Sequence, residues 1–153
     1  MLRINRQTDY AVRVLLALAQ RGEQTRLSTT AIQQEMLIPQ ALASRIVADL
    51  ARGGFIITQA GREGGIQLRR PARDITLLEV VEFFEGQIHF SECVDGKVVC
   101  PFEEVCPVQR RWVRLDMMVR AALNKVNFEE LAQESLSGQA ANLNSLEPAE
   151  VWA

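Results

Sequence analysis

The sequence predicts a mainly α-helical chain with one small β-hairpin. Three observations carry that expectation. Apolar residues recur at helical spacing through residues 8–52 and again through 76–136. Between those stretches, "FIITQAGREGGIQLRR" brings β-branched residues on either side of a glycine-rich turn. Last, "VQRRWVRLDMMVRAALNKV" sustains an apolar heptad along one long helix.

Taken in order, "TDYAVRVLLALAQRG" reads as the first helix. Thr8 is placed to cap it, Asp9 lies in the first turn where the helix dipole favours an anion, and Gly22 ends it. Val12, Leu15, Leu16 and Ala19 form its apolar stripe. A short helix opens at Ser28 or Thr29 and runs to about Met36. "LIPQ" is a turn, and Pro39 suits the opening of a helix that reaches about Arg52, with Leu42, Ile46, Val47 and Leu50 inward. Two short helices joined by a tight turn and followed directly by a hairpin form a winged helix-turn-helix. Thr76 and Glu79 make a capping box over "LLEVVEFF". Val108, Trp112, Leu115, Val119, Ala122 and Val126 step by fours and threes along the long helix, the seam of a two-fold interface between copies. Asn127 and Glu130 then cap "NFEELAQES". The expected organisation is a winged helix-turn-helix unit at 1–73, a cysteine loop with dimerisation helices at 74–136, and a mobile tail at 137–153.

The net charge of −2 hides an asymmetry: residues 1–73 hold eleven Arg, no Lys and five acids, whereas 74–153 hold six bases and fourteen acids. A basic half built only from arginine points to an anionic partner, because the guanidinium fork matches phosphate. No apolar run approaches the roughly 20 residues that span a bilayer. "MLRINRQTDY" lacks the apolar stretch of a signal peptide. The expectation is a soluble, cytoplasmic protein without a membrane partner. The chain also lacks a nucleotide-binding motif, which argues against an enzyme.

All three cysteines, Cys93, Cys100 and Cys106, fall within fourteen residues, spaced C-x6-C-x5-C. An odd number cannot all pair, and in a reducing compartment clustered thiols serve metal or redox chemistry. Structural zinc sites favour tighter C-x2–4-C pairs. The wider spacing suits an iron–sulfur cluster, whose irons take thiolates from different directions. Zinc and plain thiol chemistry remain open on spacing alone. A cluster takes four ligands, and the candidates for the fourth are His89, Gln109, Glu103, Glu104, Asp95 or a residue from a second copy.

At this point the chain resembles a family, the iron–sulfur-dependent winged-helix regulators of the IscR and NsrR type, the Rrf family of bacterial transcription factors. The resemblance covers about residues 1–136. It rests on "TDYAVRVLLALA", "LARGGFI", "GREGGIQL", "ITLLEVVEFFEG", the three cysteines in order, and a long helix followed by "NFEELA". It implies a homodimer on a palindromic operator in double-stranded DNA, a repressor whose cluster (4Fe–4S in preference to 2Fe–2S) senses nitric oxide, redox state or iron–sulfur status. IscR-like members place a histidine ligand three residues after the third cysteine, where this chain has Gln109. NsrR-like members use an aspartate in a "TDY" context, reaching the cluster of the other subunit. Asp9 occupies that context and is the implied fourth ligand. A zinc- or thiol-based regulator is the alternative, and an electron carrier a weaker one.

In a helix-turn-helix the second helix enters the major groove by its N-terminal residues, here Gln40, Ala41, Ser44 and Arg45. Gln40 suits adenine and Arg45 guanine. Ser28 and Thr29 suit a phosphate, and Arg62 at the wing tip suits the minor groove or the backbone.

Overall fold

The computed structural model describes residues 4–22, 24–61, 64–94, 100–102 and 105–137. Helix α1 (Arg6–Arg21) runs through the centre of the molecule, with α2 (Thr29–Glu35), α3 (Gln40–Arg52), α4 (Leu77–Glu85) and α6 (Phe128–Leu136) packed around it. Strands β1 (Ile56–Gln59) and β2 (Gly65–Leu68) form the antiparallel wing, with Ile56 opposite Leu68 and Gln59 opposite Gly65. The long helix α5 (Pro107–Lys125) lies against α4. This is a winged helix-turn-helix followed by a long exposed helix. No helix among the described residues is long and apolar enough to cross a membrane.

Neighbours on several sides explain why the buried stripe of α1 is broader than the sequence suggests. Tyr10, Ala11, Val14, Leu15, Ala17 and Leu18 are buried, whereas Val12, Leu16 and Ala19 only border the core. The start of α1 differs too. Asn5 is the cap, its Oδ1 accepting from the Thr8 backbone N–H at 2.9 Å, and Thr8 lies fully buried inside the first turn. The Thr8 hydroxyl donates to Glu85, at the far end of α4. A carboxylate distant in sequence thus draws Thr8 inward, and the cap moves three residues upstream.

Ser28 caps α2, and α3 spans the residues expected of it after Pro39. The turn between them has an unforeseen feature. Leu37 takes the left-handed conformation at φ 53, while the Ile38 N–H reaches back to the Gln33 carbonyl at 3.0 Å. That closure normally places glycine where Leu37 stands.

A third short edge joins the wing. Leu27 and Ile66 exchange backbone hydrogen bonds at 3.0 and 2.8 Å. Gly65, at φ 144, makes room: a Cβ there would meet the Leu27 carbonyl oxygen at 2.8 Å. Arg70 turns away from the wing, donating to Glu79 at 2.9 Å and lying over the Phe55 ring. The Thr76–Glu79 capping box forms as expected. Burial raises the Glu79 carboxyl, but the Thr76 backbone N–H and the Arg70 guanidinium outweigh it and hold the group below the usual carboxylate range. Most of the expected tail at 137–153 lies outside the described residues.

Leu37 is 81% exposed, so replacing it removes little packing. Leu37→Gly should relieve a left-handed penalty of about 1–2 kcal/mol against an entropic cost for glycine of about 0.5–1 kcal/mol, a net gain read as a higher urea midpoint. An unchanged or lower midpoint would mean that Leu37 makes a contact worth more than its strain.

Candidate functional site

Two surfaces carry chemistry. The first is the outer face of α3. Ala43, Ile46 and Leu50 turn inward, which leaves Gln40, Ala41, Ser44 and Arg45 exposed on the opposite side. The side chains of Gln40, Ser44 and Arg45 form no hydrogen bond or ion pair with the described residues, so their donors face solvent. Ser28 is exposed and its Oγ accepts from the Ala31 N–H at 3.0 Å, while Thr29 beside it is half-buried. Arg62 lies outside the described residues.

The second surface is the loop between α4 and α5. Cys93, Cys100 and Cys106 are all free thiols, each half-buried. Cys106 stands at the N-cap position of α5 without a side-chain cap bond, and Pro107 takes the first helical position. Cys93 lies 3.0 Å from the Ser91 hydroxyl, and its carbonyl accepts from Gln109 Nε2 at 3.2 Å. Gln109 therefore ties the loop to the first turn of α5. Asp95, Glu103 and Glu104 lie outside the described residues. The donor set fits a soft metal or an iron–sulfur group in kind, three reduced thiols on one loop. Among the described residues, however, no three His, Cys, Asp or Glu side chains converge closely enough to hold a single metal ion.

One residue absent from the sequence reading organises the loop's entry. Asp116, 4% exposed, is the only buried residue of the nineteen in α5. Its Oδ1 accepts from the Phe90 N–H at 2.9 Å and its Oδ2 lies 3.0 Å from His89 Nδ1. The Phe90 ring stacks on Trp112. A lone acid within an apolar heptad was the available signal. His89, a candidate ligand by sequence, is engaged by Asp116 on one ring nitrogen and lies near Gln87 on the other.

Asp9 lies half-buried in the first turn of α1 and pairs with Arg13 at 2.8 Å. On α5, Val108, Trp112 and Ala122 are exposed, and Leu115 and Val119 are half-buried. The apolar seam thus turns largely away from its own chain.

A family model described as Rrf2, iron-dependent transcriptional regulator, matches residues 4–134. Protein aau3 of Rhizobium meliloti is 34% identical over 125 residues, which is 80% of this chain and 75% of that protein. The HTH-type transcriptional regulator NsrR of Bacillus subtilis is 27% identical over 133 residues, 86% of this chain and 91% of that protein. Among solved structures, CymR, the global cysteine regulator of B. subtilis, superposes with a TM-score of 0.73 at 25% identity, covering 87% of this chain and 98% of that one. T. potens IscR superposes with a TM-score of 0.71 at 18% identity, covering 92% and 93%, a likeness of fold.

Asp116→Leu should detach the entry of the loop. Losing a charged acceptor and leaving the Phe90 N–H unpaired costs about 1–3 kcal/mol. Thiol labelling of Cys93 should quicken, whereas labelling and stability that match the wild type would show that Asp116 does not hold the loop.

Proposed function

The chain belongs to the Rrf2 family of transcriptional regulators, and from that premise we propose that it is a homodimeric repressor that reads a palindromic operator and senses nitric oxide, redox state or iron–sulfur status through a cluster. It is a DNA-binding regulator and not an enzyme. The observation that carries the sensing role is the set of three free thiols on one loop, whose entry is fastened to α5 at Phe90 and Cys93 and whose exit runs directly into that helix.

Cys93, Cys100 and Cys106 would hold three corners of the group, 4Fe–4S in preference to 2Fe–2S, with the partner subunit's Asp9 as the fourth ligand. The group would supply an iron held by oxygen rather than thiolate, open to small diatomic signals. Gln109 and Asp116 hold the entry of the loop against α5. To serve a ligand site, Asp9 has to leave Arg13, an exposed pair worth less than about 1 kcal/mol. That modest hold lets the residue serve either partner. The seam of Val108, Trp112, Leu115, Val119 and Ala122 would join two copies and bring the first helix of one beside the cysteine loop of the other.

At the DNA, Gln40, Ala41, Ser44 and Arg45 would meet base edges from α3, with Ser28 and Thr29 on a phosphate and Arg62 at the wing. Arg45 on guanine would contribute about 1–3 kcal/mol of discrimination.

Protein purified without oxygen should be brown, with visible absorbance that nitric oxide bleaches. Replacing any one cysteine by Ala should remove the colour and leave the helical circular dichroism intact. Asp9→Ala should hold the colour but lose it faster in air. A colourless protein carrying stoichiometric zinc would overturn the cluster reading.

Trp112→Glu sets a charge in the seam and also removes the stack on Phe90 of the same chain. Sedimentation should show a monomer with weakened operator binding. A dimer that persists unchanged would place the interface elsewhere.

A further inference from the structure

The first turn of α1 is bonded on two sides at once. Toward α4, the Asn5 backbone N–H and Nδ2 donate to the two Glu85 carboxylate oxygens at 2.9 and 3.0 Å, and Thr8 adds its hydroxyl. Toward α3, Gln7 Nε2 donates to Asp49 Oδ2 at 2.7 Å. The other Asp49 oxygen accepts from Arg52. Asp49 is 9% exposed and stands at the edge of the α3 stripe that packs inward through Ile46 and Leu50.

An acid at that edge costs desolvation that an apolar residue would not. What it adds is direction. The apolar contacts of Ile46 and Leu50 depend on area and tolerate a small rotation or slide of α3 on α1. A short, charge-assisted hydrogen bond does not. On a helix, Asp49 stands one turn beyond Arg45 on the same flank, next to Arg52. Restraining Asp49 therefore restrains the flank that presents Arg45.

We propose that Gln7 and Asp49 are positioning residues for DNA reading: their hydrogen bond sets the rotation of α3 on α1, and with it the direction in which Arg45 and its neighbours meet the bases. The proposal rests on the reading of the chain as an operator-binding regulator. Neither side chain touches DNA. The hold of Glu85 on the same turn keeps α1 from following when α3 is strained. Glu85 is also the last residue of α4, directly ahead of the cysteine loop, so a displacement of that loop's stem bears on the turn from which α3 takes its alignment.

The test is a donor–acceptor swap. Gln7→Glu sets carboxylate against carboxylate. Adding Asp49→Asn restores the bond in reverse, with the amide now on α3 and the net charge as in the wild type. The wild-type protein first selects its operator from a random duplex pool, and each variant is then measured for operator affinity, affinity for an unrelated duplex, and melting temperature. Gln7→Glu should lose about tenfold in operator affinity relative to the unrelated duplex, and the double variant should regain all but about threefold. If Gln7→Glu does not fold, Gln7→Met removes the donor without adding charge and should lose the same selectivity. A lowered melting temperature with operator selectivity within about twofold of the wild type would reduce the bond to a structural contact. So would a folded double variant with no recovery, and either result overturns the proposal. Failure of the wild type to select any duplex would instead sink the regulator reading itself.

Discussion

The burial of one broad face of α1 against its neighbours is the constraint on which the rest of the molecule depends. Val14, Leu15 and Leu18 are almost wholly withdrawn from water, and each such side chain contributes about 1.5–3 kcal/mol. Ala11 and Ala17 are equally buried, and their small size lets neighbouring elements approach closely. Hydrogen bonds at the helix's start contribute about 0.5–1.5 kcal/mol each, so they set angles and registers and do not supply the cohesion. Helix α3, the wing and α4, which leads into the cysteine loop, are consequently all aligned to one rod.

Helix α5 follows the opposite logic. Its single buried side chain is an acid, and its large apolar groups face outward. Within one chain it gains little from the hydrophobic effect and is positioned instead by polar bonds to the loop and by its packing on α4. The cysteine loop is thereby attached to the element least committed to its own core. The helices around α1 share one apolar core, the cysteine loop is held by a few directional contacts, and the α4–α1 hydrogen bonds at Glu85 join the two.

The winged-helix fold was legible in the sequence because its signals are local. Glycines at Gly22 and Gly53, the Thr76–Glu79 pair and the change of period at Phe55 each depend on a few adjacent residues. What escaped depends on partners far along the chain. Thr8 looked like a cap because Glu85, 77 residues away, was not in view. Val14 was overlooked because the buried face of α1 is broad and is centred away from Val12 and Leu16. Leu37 escaped because left-handed leucine contradicts local preference and persists only where a tertiary frame imposes it. For the site, the cysteines were conspicuous by crowding and the α3 face by its place after the turn. Asp116 and Asp49 were not, since an acid within a helix looks solvated until its long-range partner is known.

The bridge between Leu27 and Ile66 bears on which insertions and deletions this architecture tolerates. Of the connection that follows Gly22, only Leu27 is bridged to Ile66, and ahead of it the Thr25 N–H turns back to the Gly22 carbonyl at 3.0 Å. A residue added at that turn leaves the bridge where it is, whereas a residue removed pulls Leu27, and the wing with it, toward α1. Insertions should therefore be accepted there more readily than deletions, without altering any residue that the wing or α3 presents to solvent.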